Sequence, residues 1–256
     1  MTLVVERDGH VVTARLAAPD RLNALSSAIY EDLVLLLDEI DVNLDIRCLV
    51  LTGTGRAFCA GADLKQRGGL DAAGRWRYVD RLNKAFDRLD RTPIPVIAAV
   101  NGLALGGGVE LMTASDIRYA VATATFGLPE VRLGIIPGGS IVRLARLGLN
   151  QAVGRLAFTG APIDAATAER LGLVDRVCLT TDDLMANTHE LARQIAGNAP
   201  LALRAAKKLL RGSMAAYTAT SFQLAMELRA PLENTEDSVE GLRAFAERGA
   251  PSFKGR

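Results

Sequence analysis

Three times between Cys48 and Arg146 the chain repeats one order: a short apolar run, a turn marked by glycine or proline, and then a helix. Cys48-Leu-Val-Leu-Thr52 is broken by Gly53-Thr-Gly55 and leads to the helical spacing around Leu82 to Leu89. Val96-Ile-Ala-Ala-Val100 leads to a helix opened by Gly106-Gly-Gly108. Ile117 to Val121, with Thr125-Phe126 beyond it, leads through Pro129-Glu130 to a helix after Pro137. Continuous apolar runs of this kind are strands buried on both faces, and single helices between strand pairs cover the sheet they leave. The order predicts a stacked α/β architecture of repeated strand-strand-helix units without close sequence repeats.

Ahead of these units, Leu3 to Glu6 and Val11 to Leu16 flank Asp8-Gly9, which predicts an antiparallel hairpin. Ile29, Leu33, Leu36, Leu37 and Ile40 then fall on one helical face, with Ser26 or Ser27 as the cap. From about Asp182 onward strand signals vanish. Asp182 to Ala196, Leu201 to Arg211, Tyr217 to Leu228 and Thr235 to Glu247 carry apolar stripes among charges, separated by Pro200, Gly212 and Pro231. We divide the chain into a core, 1–196, that holds the site and a helical assembly region, 197–256. A tail this long has to lay its apolar faces on something. The segment Lys65 to Arg81, rich in glycine and arginine, is expected to begin as a flap.

A chain of 256 residues buries a full core. Its 30 basic residues against 29 acidic ones ask for neither nucleic acid nor an acidic membrane surface. The start, Met1-Thr-Leu-Val-Val-Glu-Arg-Asp8, places charges where an export signal is apolar, and no apolar stretch approaches the roughly 18 residues of a membrane span. The expectation is a cytoplasmic protein. Cys48, Cys59 and Cys178 lack metal spacing and are expected as reduced thiols. His10 and His189 stand alone, so no metal site is expected.

The candidate chemistry lies at the turns. Glu110 closes Asn101-Gly-Leu-Ala-Leu-Gly-Gly-Gly-Val-Glu110, Glu130 closes Phe126-Gly-Leu-Pro-Glu130, and Ala57-Phe-Cys-Ala-Gly-Ala-Asp63 offers a further small-residue turn. Two carboxylates serve acid/base work on a carbonyl compound, and glycine lets backbone amides approach the oxygen where charge develops. Gly107, where helix-start amides are unpaired, is the candidate oxyanion donor, with Glu110 about one helical turn further on. For the triple glycine the competing reading is close packing of helix on strand. For Glu130 it is a surface ion pair with Arg132, and for Glu110 a helix-start acid that merely complements the dipole.

Taken in this order and spacing, the motifs resemble the crotonase family of enoyl-CoA hydratases and isomerases, from Asn23-Ala-Leu25 to Phe253-Lys-Gly-Arg256. The resemblance implies a right-handed spiral of ββα units with a C-terminal helical region. It implies hydration of a 2-enoyl-CoA thioester, with Glu130 exchanging the proton at C2 and Glu110 orienting and activating the water. Ala62 joins Gly107 as second oxyanion donor. Coenzyme A is met by the backbone of Ala60 and Ala62, by Lys65, and by Phe253 and Lys254 of the tail. No cofactor is implied beyond the coenzyme A of the substrate, and the implied assembly is a homotrimer or homohexamer. A double-bond isomerase using one glutamate, or a silent scaffold with this fold, are the alternatives. The chain departs from the hydratase pattern at Leu128 and in Gly138-Gly-Ser-Ile-Val-Arg-Leu144, which shortens a turn by one residue.

Other hydrolytic and redox readings fail on the residues. No Gly-x-Ser-x-Gly is present for a serine hydrolase. Position 111 is Leu, so Gly106-Gly-Gly108 lacks the spacing of a dinucleotide-binding turn.

Overall fold

The computed structural model describes residues 2–212, 223, 226–227 and 230–252, apart from the side chain of Ala72. Its strands are β1 (Leu3–Asp8), β2 (Val11–Leu16), β3 (Cys48–Gly53), β4 (Ala57–Cys59), β5 (Val96–Val100), β6 (Leu103–Leu105), β7 (Ile117–Val121), β8 (Thr125–Gly127), β9 (Ile163–Asp164) and β10 (Arg176–Cys178). Its helices are α1 (Ser27–Val42), α2 (Leu64–Gly68), α3 (Ala72–Arg91), α4 (Gly107–Thr113), α5 (Gly138–Arg146), α6 (Asn150–Thr159), α7 (Ala165–Arg170), α8 (Thr181–Ala196), α9 (Pro200–Gly212) and α10 (Glu236–Glu247).

From β3 to β8 successive strands alternate between two sheets. One has the order β1-β2-β3-β5-β7-β10 and the other β4-β6-β8-β9. The hairpin β1/β2 is antiparallel, while β2/β3, β3/β5, β5/β7 and β7/β10 are parallel. In the second sheet β4/β6 and β6/β8 are parallel and β8/β9 antiparallel. Each unit therefore lays its first strand in the large sheet and its second in the small one before a helix closes the turn. That is the repeated ββα spiral expected from the sequence. The central strands β3 and β5 are buried at every position, as two-sided coverage requires.

The amphipathic face of α1 buries the five residues read from its periodicity, and the Ser26 hydroxyl accepts the Ile29 amide. Three local differences from the sequence reading have plain causes. Ala57–Cys59, read within a turn, is a strand of three residues, and β9 and β10 are as short, below the length at which alternation is visible. Lys65 to Arg81 is largely helical, because Asp63 and Asp71 cap α2 and α3 by accepting backbone amides of each first turn. Tyr217 to Leu228 falls largely outside the described residues. Among the described residues no helix is long and apolar enough to cross a membrane.

Candidate active site

Backbone pairing builds the first wall. Ala60 N donates to Leu22 O (2.9 Å), Leu25 N to Gly61 O (2.8 Å) and Asp63 N to Leu25 O (3.3 Å), so residues 60–63 are zipped to residues 22–25. Asn23, in a left-handed conformation at φ 56°, holds that loop by accepting Ala18 N (2.9 Å) and donating to Thr54 O (3.0 Å) and Ala57 O (2.7 Å). Tyr78 of α3 reaches in below, accepting Asp63 N and donating to Leu25 O. Burial pushes this phenol up to about 12, so it stays a neutral donor. Within this frame the Ala62 amide has no acceptor among the described residues.

The three glycines of the second wall have three different roles. Gly106 sits at φ 49°, where a Cβ would lie 2.7 Å from Glu130 Oε1. Gly107 opens α4, and its amide has no acceptor among the described residues. A Cβ on Gly107 would lie 3.5 Å from Ala62 N, and one on Gly61 3.2 Å from Gly107 N. The two amides therefore converge. Gly108 packs α4 against β4, since a Cβ there would fall 2.1 Å from Cys59 O. The packing reading of the triple glycine is right for Gly108, and the open amide belongs to Gly107.

The carboxylates complete the site. Glu110 is buried on α4 and accepts Ser140 N (3.2 Å) from the start of α5. A Cβ on Gly139 would lie 2.7 Å from its Oε1. Glu130 is half-buried on a 3-10 turn, Pro129–Leu133, that Gly134 closes in the left-handed region. Its sequence neighbour Arg132 donates instead to Thr159 O (3.3 Å) and packs on Gly160. α10 lies over this turn: a Cβ on Gly241 would meet Leu133 Cα at 2.6 Å, and one on Gly134 would meet Ser238 N at 2.7 Å.

Both carboxylates and both amides face one cavity of about 560 Å³. Leu103, Leu105, Leu133, Ile135, Ala244 and Phe245 give it an apolar end, and Ala60 lines it beside Gly61 and Ala62. Arg67 of α2 also lines it and is paired there with Glu233 (2.5 Å). Cys59 lies behind this wall, and burial pushes its thiol up to about 12, which keeps it a neutral packing residue. Lys65 is exposed on α2 and is not part of the lining, while Phe253 and Lys254 lie outside the described residues. Among the described residues no three His, Cys, Asp or Glu side chains cluster as metal ligands would. Sequence reasoning missed Gly139, Ser140 and Arg143, which reach Glu110 from 29 or more residues along the chain. The only local signal for them was the glycine pair that opens α5.

A spiral of ββα units with converging amides and paired glutamates at its turns is a crotonase-type arrangement. Comparison with known proteins agrees: the family model for enoyl-CoA hydratase/isomerase matches residues 6–256. The putative enoyl-CoA hydratase/isomerase YngF of Bacillus subtilis is 40% identical over 255 residues, covering 99% of this chain and 98% of that one. The short-chain-enoyl-CoA hydratase of Clostridium acetobutylicum is 37% identical, over 99% of this chain and 98% of its own. The crystal structure of an enoyl-CoA hydratase from Bacillus anthracis superposes with a TM-score of 0.81 at 38% identity, and each chain is covered in full. The chain belongs to the enoyl-CoA hydratase/isomerase family.

Proposed function

We propose that this protein is a cytoplasmic enoyl-CoA hydratase that adds water across the 2,3 double bond of a 2-enoyl-CoA to give the 3-hydroxyacyl-CoA. The thioester carbonyl lies between Ala62 N and Gly107 N, where charge grows as the enolate forms. A preorganised donor of this kind is worth roughly 100 to 1,000-fold in rate. Water oxygen attacks C3 while Glu110 orients and activates it, and Glu130 delivers a proton to C2. Positioned acid/base groups contribute roughly 100 to 10,000-fold. The apolar end of the cavity takes the acyl chain. The backbone of Ala60 and Ala62, with Lys65 at the mouth and Phe253 and Lys254 from the tail, takes the coenzyme A, and no further cofactor is required.

One observation carries this reading: two glutamates, each cupped by a glycine, face the same cavity as two open amides. A double-bond isomerase working with one carboxylate has no use for the second cradle. Relatives named as hydratases at 36 to 37% identity support the same choice. We further propose a homotrimer or homohexamer, supported by the exposure of Leu201 and Leu209 on α9 and of Phe245 on α10.

The direct test mixes purified protein with crotonyl-CoA and follows loss of the conjugated enoyl absorbance, with and without a chelator. Turnover to 3-hydroxybutyryl-CoA, indifferent to chelator, is expected. Shift of a 3-enoyl double bond without any hydration would select the isomerase, and complete loss with chelator would end the cofactor-independent mechanism.

A further inference from the structure

Arg143 is the largest fully buried side chain among the described residues, and the hydration mechanism as stated gives it no task. It lies on α5, one helical turn beyond the Ser140 amide that binds Glu110. A Cβ on Gly139 would lie 2.7 Å from Glu110 Oε1 and 3.0 Å from Arg143 Nη1, so carboxylate and guanidinium press on the same face of one glycine. Phe86 of α3 covers the guanidinium, with its ring centroid 5.9 Å away.

The charged groups around Arg143 come from three helices. Glu110 faces it from α4, Asp90 and Asp87 from α3, and Arg146 from its own helix. Asp90 is already engaged, since Arg146 grips it with both nitrogens at 2.6 and 2.7 Å and Arg211 adds a contact at 2.9 Å. Burial pulls the Arg143 guanidinium below its ordinary value, and the charge of Glu110 is the strongest influence holding it up. A cation in so dry a place is costly without an anion nearby.

We propose that Arg143 is a positioning residue for Glu110, fixing its carboxylate against the Gly139–Ser140 backbone so that it can take the proton of the attacking water. The inference rests on the hydration reading and adds a residue to that site. It also gives the glycine pair at the start of α5 a purpose: any side chain at position 139 would separate the two charges.

The test is a double-mutant cycle on the intact protein with crotonyl-CoA. Arg143→Met is expected to lower kcat by about 100-fold or more while KM moves by less than about threefold. Arg143→Lys should recover about tenfold or more of the lost rate. On a Glu110→Gln background the same Arg143→Met change should cost less than about threefold, because the group it serves is already gone. A loss that carries over undiminished to that background would make Arg143 a packing residue and overturn the proposal, as would a wild-type kcat in Arg143→Met. Should Arg143→Met fail to fold, Arg143→Lys decides: kcat should fall with Glu110 in place but change by less than about threefold on the Glu110→Gln background, and an equal fall on both would refute the inference. A wild-type protein that hydrates no enoyl thioester would instead overturn the functional reading itself.

Discussion

Glu110 and Glu130 face one cavity, but Glu110 belongs to the interior and Glu130 to a turn that the end of the chain holds down. Glu110 sits on a helix buried at all seven positions, clamped by the Ser140 amide and flanked by Arg143. Behind it Asp90, Arg146, Arg211, Asp116 and Lys207 form a buried ionic chain that joins α3, α5 and α9. Glu130 has a 3-10 turn, the cradle of Gly106, and the contacts of Gly241 and Gly134 with their neighbours across the α10 interface. Under the proposed roles, the group that holds water is the more deeply clamped one, while the group that serves C2 stands where tail docking sets its reach.

The largest effect should come from cutting the support of the Glu110 wall. Burial alone would raise Asp90, but the Arg146 hydrogen bond and the charges of Arg211, Arg146 and Arg143 outweigh it and hold this carboxyl below its ordinary range. A depressed folded value stabilises the protein above the unfolded carboxylate value near 3.8, and that stability is lost as pH falls through the folded value. Asp90→Asn should therefore cost about 3 to 5 kcal/mol at neutral pH, because it leaves buried guanidinium groups without their anion. In chemical denaturation the gap to wild type should narrow below about pH 4. A gap unchanged down to acid pH would show that Asp90 acts by shape alone.

The Glu130 wall should respond to a smaller insult. Gly241→Ala would place a methyl against the Leu133 backbone, an overpacking expected to cost about 1 to 3 kcal/mol and to reduce turnover through Glu130. Gly154→Ala on α6 supplies the contrast. Its added methyl would meet only the Phe158 ring at 3.6 Å, so helix propensity should stabilise the protein by up to about 1 kcal/mol with turnover unchanged. Thermal unfolding and kcat of the two variants check the pair, and equal turnover in both would detach α10 from the site.

What was legible in the sequence follows the same division. The hairpin, whose turn falls at Gly9-His10, one residue past the Asp8-Gly9 read from the sequence, the five buried positions of α1 and the alternation of strands were readable because each is set by local spacing. Glu110, Glu130, Ala62 and Gly107 were readable as candidates because each sits in a short motif, and the fold brings all four to one cavity. Arg143 was not, since a buried arginine on an amphipathic helix is indistinguishable in sequence from a solvated one. The Arg67–Glu233 pair was hidden for a related reason: its partners are 166 positions apart, and only the return of the tail over α2 joins them.

The account stands on the different tasks of the two glutamates, which one paired measurement separates. Glu110→Gln and Glu130→Gln are each assayed for hydration of crotonyl-CoA and for exchange of the C2 hydrogens of butyryl-CoA with deuterated water, a reaction that needs no attacking water. Glu130→Gln should lose both activities by about 100-fold or more, while Glu110→Gln should lose hydration to that extent yet keep exchange within about tenfold of wild type. Hydration near the wild-type rate in either variant, or exchange lost with Glu110 and kept without Glu130, would contradict the division of roles.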